Sequence, residues 1–361
     1  MAIRLGHYDV HLRLGAGGEG RVFLARDRDR QNQILAVKTV HPRLADDPEH
    51  VREFESEARI SGRLRHVNIV RTFEVEELMG MPILPMEFVL GASLLHTLDL
   101  ASRFGASLTV GTILAICAQA CAGLEHAHGL EAEDGSRLGI VHRDVSPENI
   151  LVGFDGIVRL SDFGTAISVD RGWQTRQGVI KGKTRYTSPE RITGGRIDER
   201  SDIFSAGIVL WEAITGRKLF VGRTSAEVFL AIRDAPIFPP SRFLPGLPAA
   251  IDRVVLRALA RDPDKRFQCA AEMRTAIVEV LARAKSTPEP EAIRSELCEA
   301  FGTEISRRTQ AVEQLGRIPD ALVAAALEVE AAEGADFVAA TGAASGATAP
   351  LGSPLTLGPW R

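Results

Sequence analysis

Two short polar runs constrain this 361-residue chain more than anything else in it: His142-Arg143-Asp144-Val145-Ser146-Pro147-Glu148-Asn149 and Asp162-Phe163-Gly164. An apolar strand, Ile150 to Val152, follows the first, and the second comes after another strand. Either tripeptide, His-Arg-Asp or Asp-Phe-Gly, arises by chance in many proteins; their order and spacing together make a far more specific signal. Around them the chain changes character. From His7 to Val40 the sequence alternates around glycines, with Leu12, Leu14, Val22, Leu24, Leu35 and Val37 at strand spacing, which predicts a small antiparallel sheet. Asp46, Asp47 and Pro48 read as a helix start, and Phe54, Ala58, Ile60 and Leu64 give that helix an apolar face up to a turn at His66 to Val70. Strands are expected over Val70 to Phe73 and Pro82 to Val89. Beyond Gly91 longer helices take over, notably Thr109 to His128 and Ser201 to Thr215. The polar stretch Gly129 to Leu138 reads as a surface loop before a strand at Ile140 and Val141. A strand-rich first part and a helix-rich second part imply an α+β chain with two lobes.

Gly15, Gly17 and Gly20 form a GxGxxG followed by Val22, where missing side chains let backbone amides approach phosphates. The triplet alone is weak, because ordinary turns and dinucleotide folds share it. Here Arg21 to Ala25 continue as a strand, whereas a Rossmann site needs a helix opening from the glycines. No Gly-Lys-Ser/Thr follows, so a Walker loop is excluded as well. Lys38 ends the apolar run Leu35-Ala36-Val37, where its ammonium can neutralise phosphates or simply snorkel. A buried cation needs an anion, and Glu57 on the following helix is the candidate, with Glu53 and Glu55 as competitors.

With these residues the chain resembles the eukaryotic-like (Hanks-type) protein kinases, in particular their bacterial Ser/Thr branch, over roughly His7 to Ala284. The resemblance extends to Ser188-Pro189-Glu190 for the usual APE, to Asp202 and Gly207, and to Arg266. It implies a bilobal protein kinase fold over 1–285, with an antiparallel-sheet N-lobe holding one helix (about 7–90), a mostly helical C-lobe (about 91–285) and a C-terminal extension. It also implies ATP and Mg²⁺ (or Mn²⁺) as cofactors and a protein Ser/Thr hydroxyl as acceptor. By the family's spacing from His66, Glu57 is the partner of Lys38. Asp144 would orient the acceptor hydroxyl and take its proton, Asn149 and Asp162 would hold the metal, and Lys38 would grip the α- and β-phosphates. Leu14, Gly15, Gly17, Gly20, Val22 and Ala36 would cover the nucleotide and Leu151 would floor it. Met86 is the expected gatekeeper, and Glu87 to Val89 the hinge. His142 and Phe163 look like spine residues, Asp202 like a structural residue, and Glu190 and Arg266 like a buried ion pair.

Three positions depart from the family pattern. Ser146 stands where most Ser/Thr kinases have a lysine that touches the γ-phosphate, and Lys183, in Gly182-Lys183-Thr184-Arg185-Tyr186, stands where they have a threonine beside it. A swap accounts for both changes: Lys183 presents its ammonium in the space left at Ser146, which keeps a hydroxyl contact. Ser61 replaces a larger apolar spine residue. Arg143 before the catalytic aspartate calls for an anion, which a phosphothreonine between Asp162 and Glu190 would supply. Thr175 ranks first as that site, then Thr184 and Ser168, and the chain itself is an expected autophosphorylation substrate.

Composition narrows the rest. A net charge of −4 draws the chain neither to nucleic acid nor to anionic lipid. Cys117, Cys121, Cys269 and Cys298 have no CxxC spacing, Cys117 and Cys121 being expected on one helix, and no apolar run approaches a membrane span, so the cytoplasm is the expected compartment and no membrane partner is expected. Residues 286–361 carry 11 acidic and 5 basic side chains, against 36 and 38 before them. That tail is expected to be helical over Glu291 to Leu315 and Ala321 to Ala332, and disordered from Thr341. A pseudokinase scaffold is the main alternative, supported by Ser146 and Ser61 and opposed by the presence of Lys38, Glu57, Asp144, Asn149 and Asp162. A small-molecule kinase would lack Glu190 and Arg266.

Overall fold

The computed structural model describes residues 3–16, 20–41, 44, 47–78, 80–163 and 182–314. They fall into two compact units, one drawn from Met1–Arg65, Val70–Val89 and residues 303–314, the other from His66–Ile69 and Leu90–Gly302.

In the first unit, β1 (Ile3–Leu5), β2 (Tyr8–Ala16), β3 (Gly20–Asp27) and β4 (Gln33–Val40) follow one another as an antiparallel meander, and α1 (Pro48–Ser61) comes next. Then β5 (Glu76–Leu78) and β6 (Met81–Glu87) complete a six-stranded sheet in the order β1-β2-β3-β4-β6-β5. Tyr8, Val10, Ala25, Leu35, Val37 and Ile83 alternate onto one face and form its core. The expected strand over Val70 to Phe73 is not a ladder. Thr72 makes a lone bridge to Met86, and Phe73 N–H and Glu87 N–H bond across to Pro85 and Arg71 carbonyls, beyond the stretch of β6 that β5 pairs with. Asp47 caps α1 by accepting from the Glu49 N–H, with Pro48 at the first helical position, as the start signal predicts. Phe54, Glu57, Ala58 and Ser61 are the buried face of α1; Ile60 is only half-buried.

In the second unit, β7 (Gly91–Ser93) leads into α2 (Leu94–Arg103) and α3 (Val110–His128), and β7 pairs with the hairpin of β8 (Ile150–Gly153) and β9 (Val158–Leu160). After α4 (Pro189–Thr193) come α5 (Glu199–Thr215), α6 (Ser225–Asp234), α7 (Ala249–Ala258), α8 (Ala270–Arg283) and the part of α9 (Pro290–Gln314) up to Gly302. Helix α3 is the hub, packed against α5, α8 and β9. It is long and apolar enough to cross a membrane, counter to the expectation that no run approaches that length, yet nearly all its residues are buried against protein. Ile140 and Val141 form no strand; they are buried in the approach to the catalytic loop. Cys117 and Cys121 share α3 one turn apart, as expected, and burial pushes both thiols up, Cys121 to about 12. Helix α9 covers most of the expected Glu291 to Leu315 segment, and Ile293, Leu297 and Phe301 on it are buried. The expected Ala321 to Ala332 helix and the Thr341 tail lie outside the described residues.

Candidate active site

Lys38 lies on β4, the strand that β3 and β6 flank, so its neighbours in the ladder are Val22 and Leu84. Its Nζ donates to Glu57 Oε1 at 2.6 Å, with both side chains more than nine-tenths buried. Glu53 and Glu55, on the outer face of α1, are exposed. The helix period therefore decides among the three carboxylates, since only Glu57 shares the stripe of Phe54, Ala58 and Ser61. Val22 and Ala36 sit opposite Lys38 and Met86 respectively, and Met86 is 9% exposed. Glu87 accepts the Arg71 N–H through its side chain, which braces the expected hinge before Val89. Leu14 is exposed on β2, and Gly15 pairs with Val22. Gly20 has a plain packing reason: a Cβ there would collide with the Thr39 carbonyl oxygen of the neighbouring strand. Gly17 lies outside the described residues.

The second unit builds the catalytic loop. Asp202, fully buried on α5, accepts from the His142 N–H at 2.7 Å and the Arg143 N–H at 2.8 Å, and its Oδ2 also meets His128 Nε2 at 2.8 Å. Burial pushes the Asp202 carboxyl upward, but His128, the charge of His142 and the Arg143 N–H outweigh it and hold it below the usual carboxylate range. Arg143 has φ 62° and Asp162 has φ 59°, both in the left-handed region that costs a side-chain-bearing residue energy. The His142 ring lies 4.3 Å from the Phe163 ring, centroid to centroid. Its Nε2 faces the Ser161 carbonyl at 3.1 Å, so the proton sits on that nitrogen.

Asn149 ties the loop together. Its Nδ2 donates to the Asp144 carbonyl at 2.8 Å and to Asp144 Oδ2 at 2.7 Å, while its own carbonyl accepts from the Ser161 N–H. With the amide nitrogen so committed, Oδ1 is the atom left for a hard cation, and Asp162, one residue past Ser161, is the other candidate oxygen ligand. Among the described residues no group of three or more His, Cys, Asp or Glu could hold a metal. Two oxygen ligands of this kind fit Mg²⁺, which keeps waters and shares phosphate oxygens. Leu151 follows on β8, paired with Ser93 and Arg159.

Ser146 is fully buried, and its Oγ has no hydrogen-bond partner among the described residues. Lys183 lies in a 3₁₀ turn, Gly182–Tyr186, and its side chain is outside the described part. Thr184 is buried at 6% exposure; Thr175 and Ser168 lie outside the described residues. Glu190 forms a bidentate pair with Arg266 at 2.7 and 2.8 Å, and the fully buried guanidinium also reaches the carbonyls of Ala260, Arg200 and Arg261. Burial pushes Glu190 up, but Arg266 and Ser201 hold it below its usual value. Three residues escaped the sequence reading. Arg191 on α4 donates to the Arg143 carbonyl at 2.5 Å, and Asp144 lies within its field. His128 reaches Asp202, and Gln119 joins β9 to the His66–Ile69 turn. His128 alone carried a signal, a histidine ending an otherwise apolar helix; the other two carried none.

The protein kinase domain family profile matches residues 8–276. The chain belongs to the protein kinase family. It is 34% identical over 267 residues to the tyrosine-protein kinase MasK of Myxococcus xanthus, covering 73% of this chain and 41% of that protein. It is 38% identical over 280 residues to the serine/threonine-protein kinase PknB of Mycobacterium tuberculosis, covering 76% and 42%. It thus spans about two fifths of the length of these curated relatives. The PknI kinase domain of Mycobacterium tuberculosis aligns with a TM-score of 0.57 at 28% identity, covering 77% of this chain and 97% of that one.

Proposed function

We propose that this chain is an ATP-dependent protein kinase that phosphorylates Ser or Thr side chains of proteins, itself among them. The observation that carries this reading is the Asp144 carboxylate, held by Asn149 in a loop whose backbone hangs from Asp202. The acceptor hydroxyl gives its proton to Asp144 as its oxygen bonds to the γ-phosphorus; the bond from that phosphorus to the β–γ bridging oxygen breaks, and ADP leaves. Lys38, fixed by Glu57, binds the α- and β-phosphates. Val22, Ala36 and Met86 enclose the adenine, and Glu87 to Val89 offer it backbone groups. Asn149 and Asp162 would hold Mg²⁺, which neutralises charge on the phosphates when bound. With Ser146 sealed in, Lys183 supplies the cation near the γ-phosphate. The serine/threonine name of PknB supports this class of acceptor, while the name of MasK points to tyrosine.

The test is incubation with Mg-ATP and phosphosite mapping by mass spectrometry, beside Asp144→Asn. Phosphate on Ser or Thr, Thr175 first, and none in the Asn variant is the expected result. Phosphate confined to tyrosine would overturn the acceptor class. Nucleotide binding without transfer would make the chain a pseudokinase.

A further inference from the structure

The family match ends at residue 276, but the second unit does not. Helix α3 begins at Val110 with no acidic residue in its first turn, so its N-terminal dipole lacks the usual counter-charge. Glu296, on α9, supplies it from more than 180 positions away. Its carboxylate accepts from the Thr109 N–H by a short bond, from Thr109 Oγ1 at 2.8 Å and from Thr112 Oγ1 at 2.5 Å. Below it, Ile293, Leu297 and Phe301 repeat every four residues and are buried, and the Phe301 ring lies 6.3 Å from that of Phe104. The segment from residue 286 to 302 is therefore anchored at both a polar and an apolar seam.

The same segment reaches the β8–β9 hairpin by two routes. At its turn, Gly156 has φ 80° and lies so close under the strap that a Cβ would strike the Pro290 carbonyl oxygen. Beside it the Gln119 amide makes four bonds. Nε2 donates to Pro288 O at 3.0 Å and Gly156 O at 3.3 Å, and Oε1 accepts from Val158 N at 2.9 Å and Asn68 Nδ2 at 3.0 Å. Asn68 in turn donates to Val158 O and accepts from Leu160 N. Asn149 immediately precedes this hairpin and Asp162 follows it by two residues, so whatever fixes the turn fixes the spacing of the two metal ligands.

We infer that residues 286–302 are a working part of the catalytic unit: a brace that, through Gln119 as positioning residue, holds the β8–β9 hairpin and with it Asn149 and Asp162 in register. The inference rests on the reading of those two residues as metal ligands. The brace is set by Glu296 and transmitted by Gln119, so the two should fail in the same way.

Full-length Glu296→Gln, Glu296→Ala and Gln119→Met are compared with the parent by amide hydrogen exchange and by Mg²⁺ titration of ADP binding with a fluorescent analogue. Exchange over residues 150–160 should rise about tenfold in Glu296→Ala and Gln119→Met, and less in Glu296→Gln, which keeps part of the cap. Exchange over β3 and β4 should not change. The Mg²⁺ concentration at half-saturation should rise several-fold, while ADP binding without Mg²⁺ stays as in the parent. If the alanine variant does not fold, Thr112→Val weakens the same anchor by one bond and serves in its place. Faster exchange over 286–302 with an unchanged hairpin and unchanged Mg²⁺ dependence would overturn the brace. A parent protein that binds ADP with no response to Mg²⁺ would instead remove the metal reading, and hairpin exchange would still decide the brace.

Discussion

Lys38 donates to Glu57 across 2.6 Å, and the two side chains form a buried pair inside one unit of the chain. Removing one member takes away the other's buried counter-charge at 2.6 Å, at a cost on the order of 3–5 kcal/mol. Lys38→Met and Glu57→Leu should each lower the melting temperature, and the double variant should recover much of the loss, because both charges go together. Activity will not recover: each single variant and the double should lose at least about 100-fold in phosphoryl transfer. Thermal melts and steady-state rates on the four proteins check this, and an active double variant would contradict it.

Asp202 carries the backbone of two catalytic-loop residues, one of them left-handed at Arg143. Asp202→Asn swaps one acceptor oxygen for a donor and should lower kcat about 10- to 100-fold with KM for ATP little changed, since Lys38 and Glu57 lie elsewhere. Because the folded carboxyl is held below its usual 3.8, its contribution to stability is full above that pH and fades as pH falls through the depressed folded value. The Asn variant should therefore show a shallower acid denaturation curve than the parent. Equal acid slopes would refute the assignment.

His66 behaves in the opposite chemical sense. Burial, then the charge of His126, whose ring stacks at 5.0 Å, holds it below its usual 6.5, so the unfolded chain takes up a proton more readily than the fold does. Stability is complete above pH 6.5 and declines as pH falls from there toward the depressed folded value. Melting temperatures across that interval should drop for the parent and drop less for His66→Gln.

Lys183 and Ser146 make a paired test. Lys183→Met should reduce turnover about 100-fold, and adding Ser146→Lys should restore part of it by returning a cation to the catalytic loop. Full activity in Lys183→Met ends the swap. A Ser146→Lys change that only unfolds the protein would trace to the sealed space around that side chain.

Local chemistry was readable where a motif carries its own geometry. The Asp47-Pro48 start, the catalytic loop, the Lys38 strand and the Glu190–Arg266 pair all follow from residues whose roles depend on near neighbours or on a family spacing. Short apolar runs misled: Val70 to Phe73 and Ile140-Val141 look like strands, but burial in a turn or a loop approach selects the same residues. Ser61 lies on the buried face of α1, at the position where the resemblance implies a larger apolar residue. Least legible were Gln119 and Glu296, ordinary polar residues on helices, whose meaning comes from partners far along the chain.

Met86 is nearly enclosed and faces Ala36 across the ladder between β4 and β6. Shortening it to alanine would open a pocket of three heavy atoms beside the expected adenine position, at a stability cost of about 2–5 kcal/mol. A purine enlarged on that side should then bind the Met86→Ala variant more tightly than it binds the parent. If the proposed activity holds, thiophosphate passed from such a nucleotide in a crude extract would mark proteins that the variant phosphorylates.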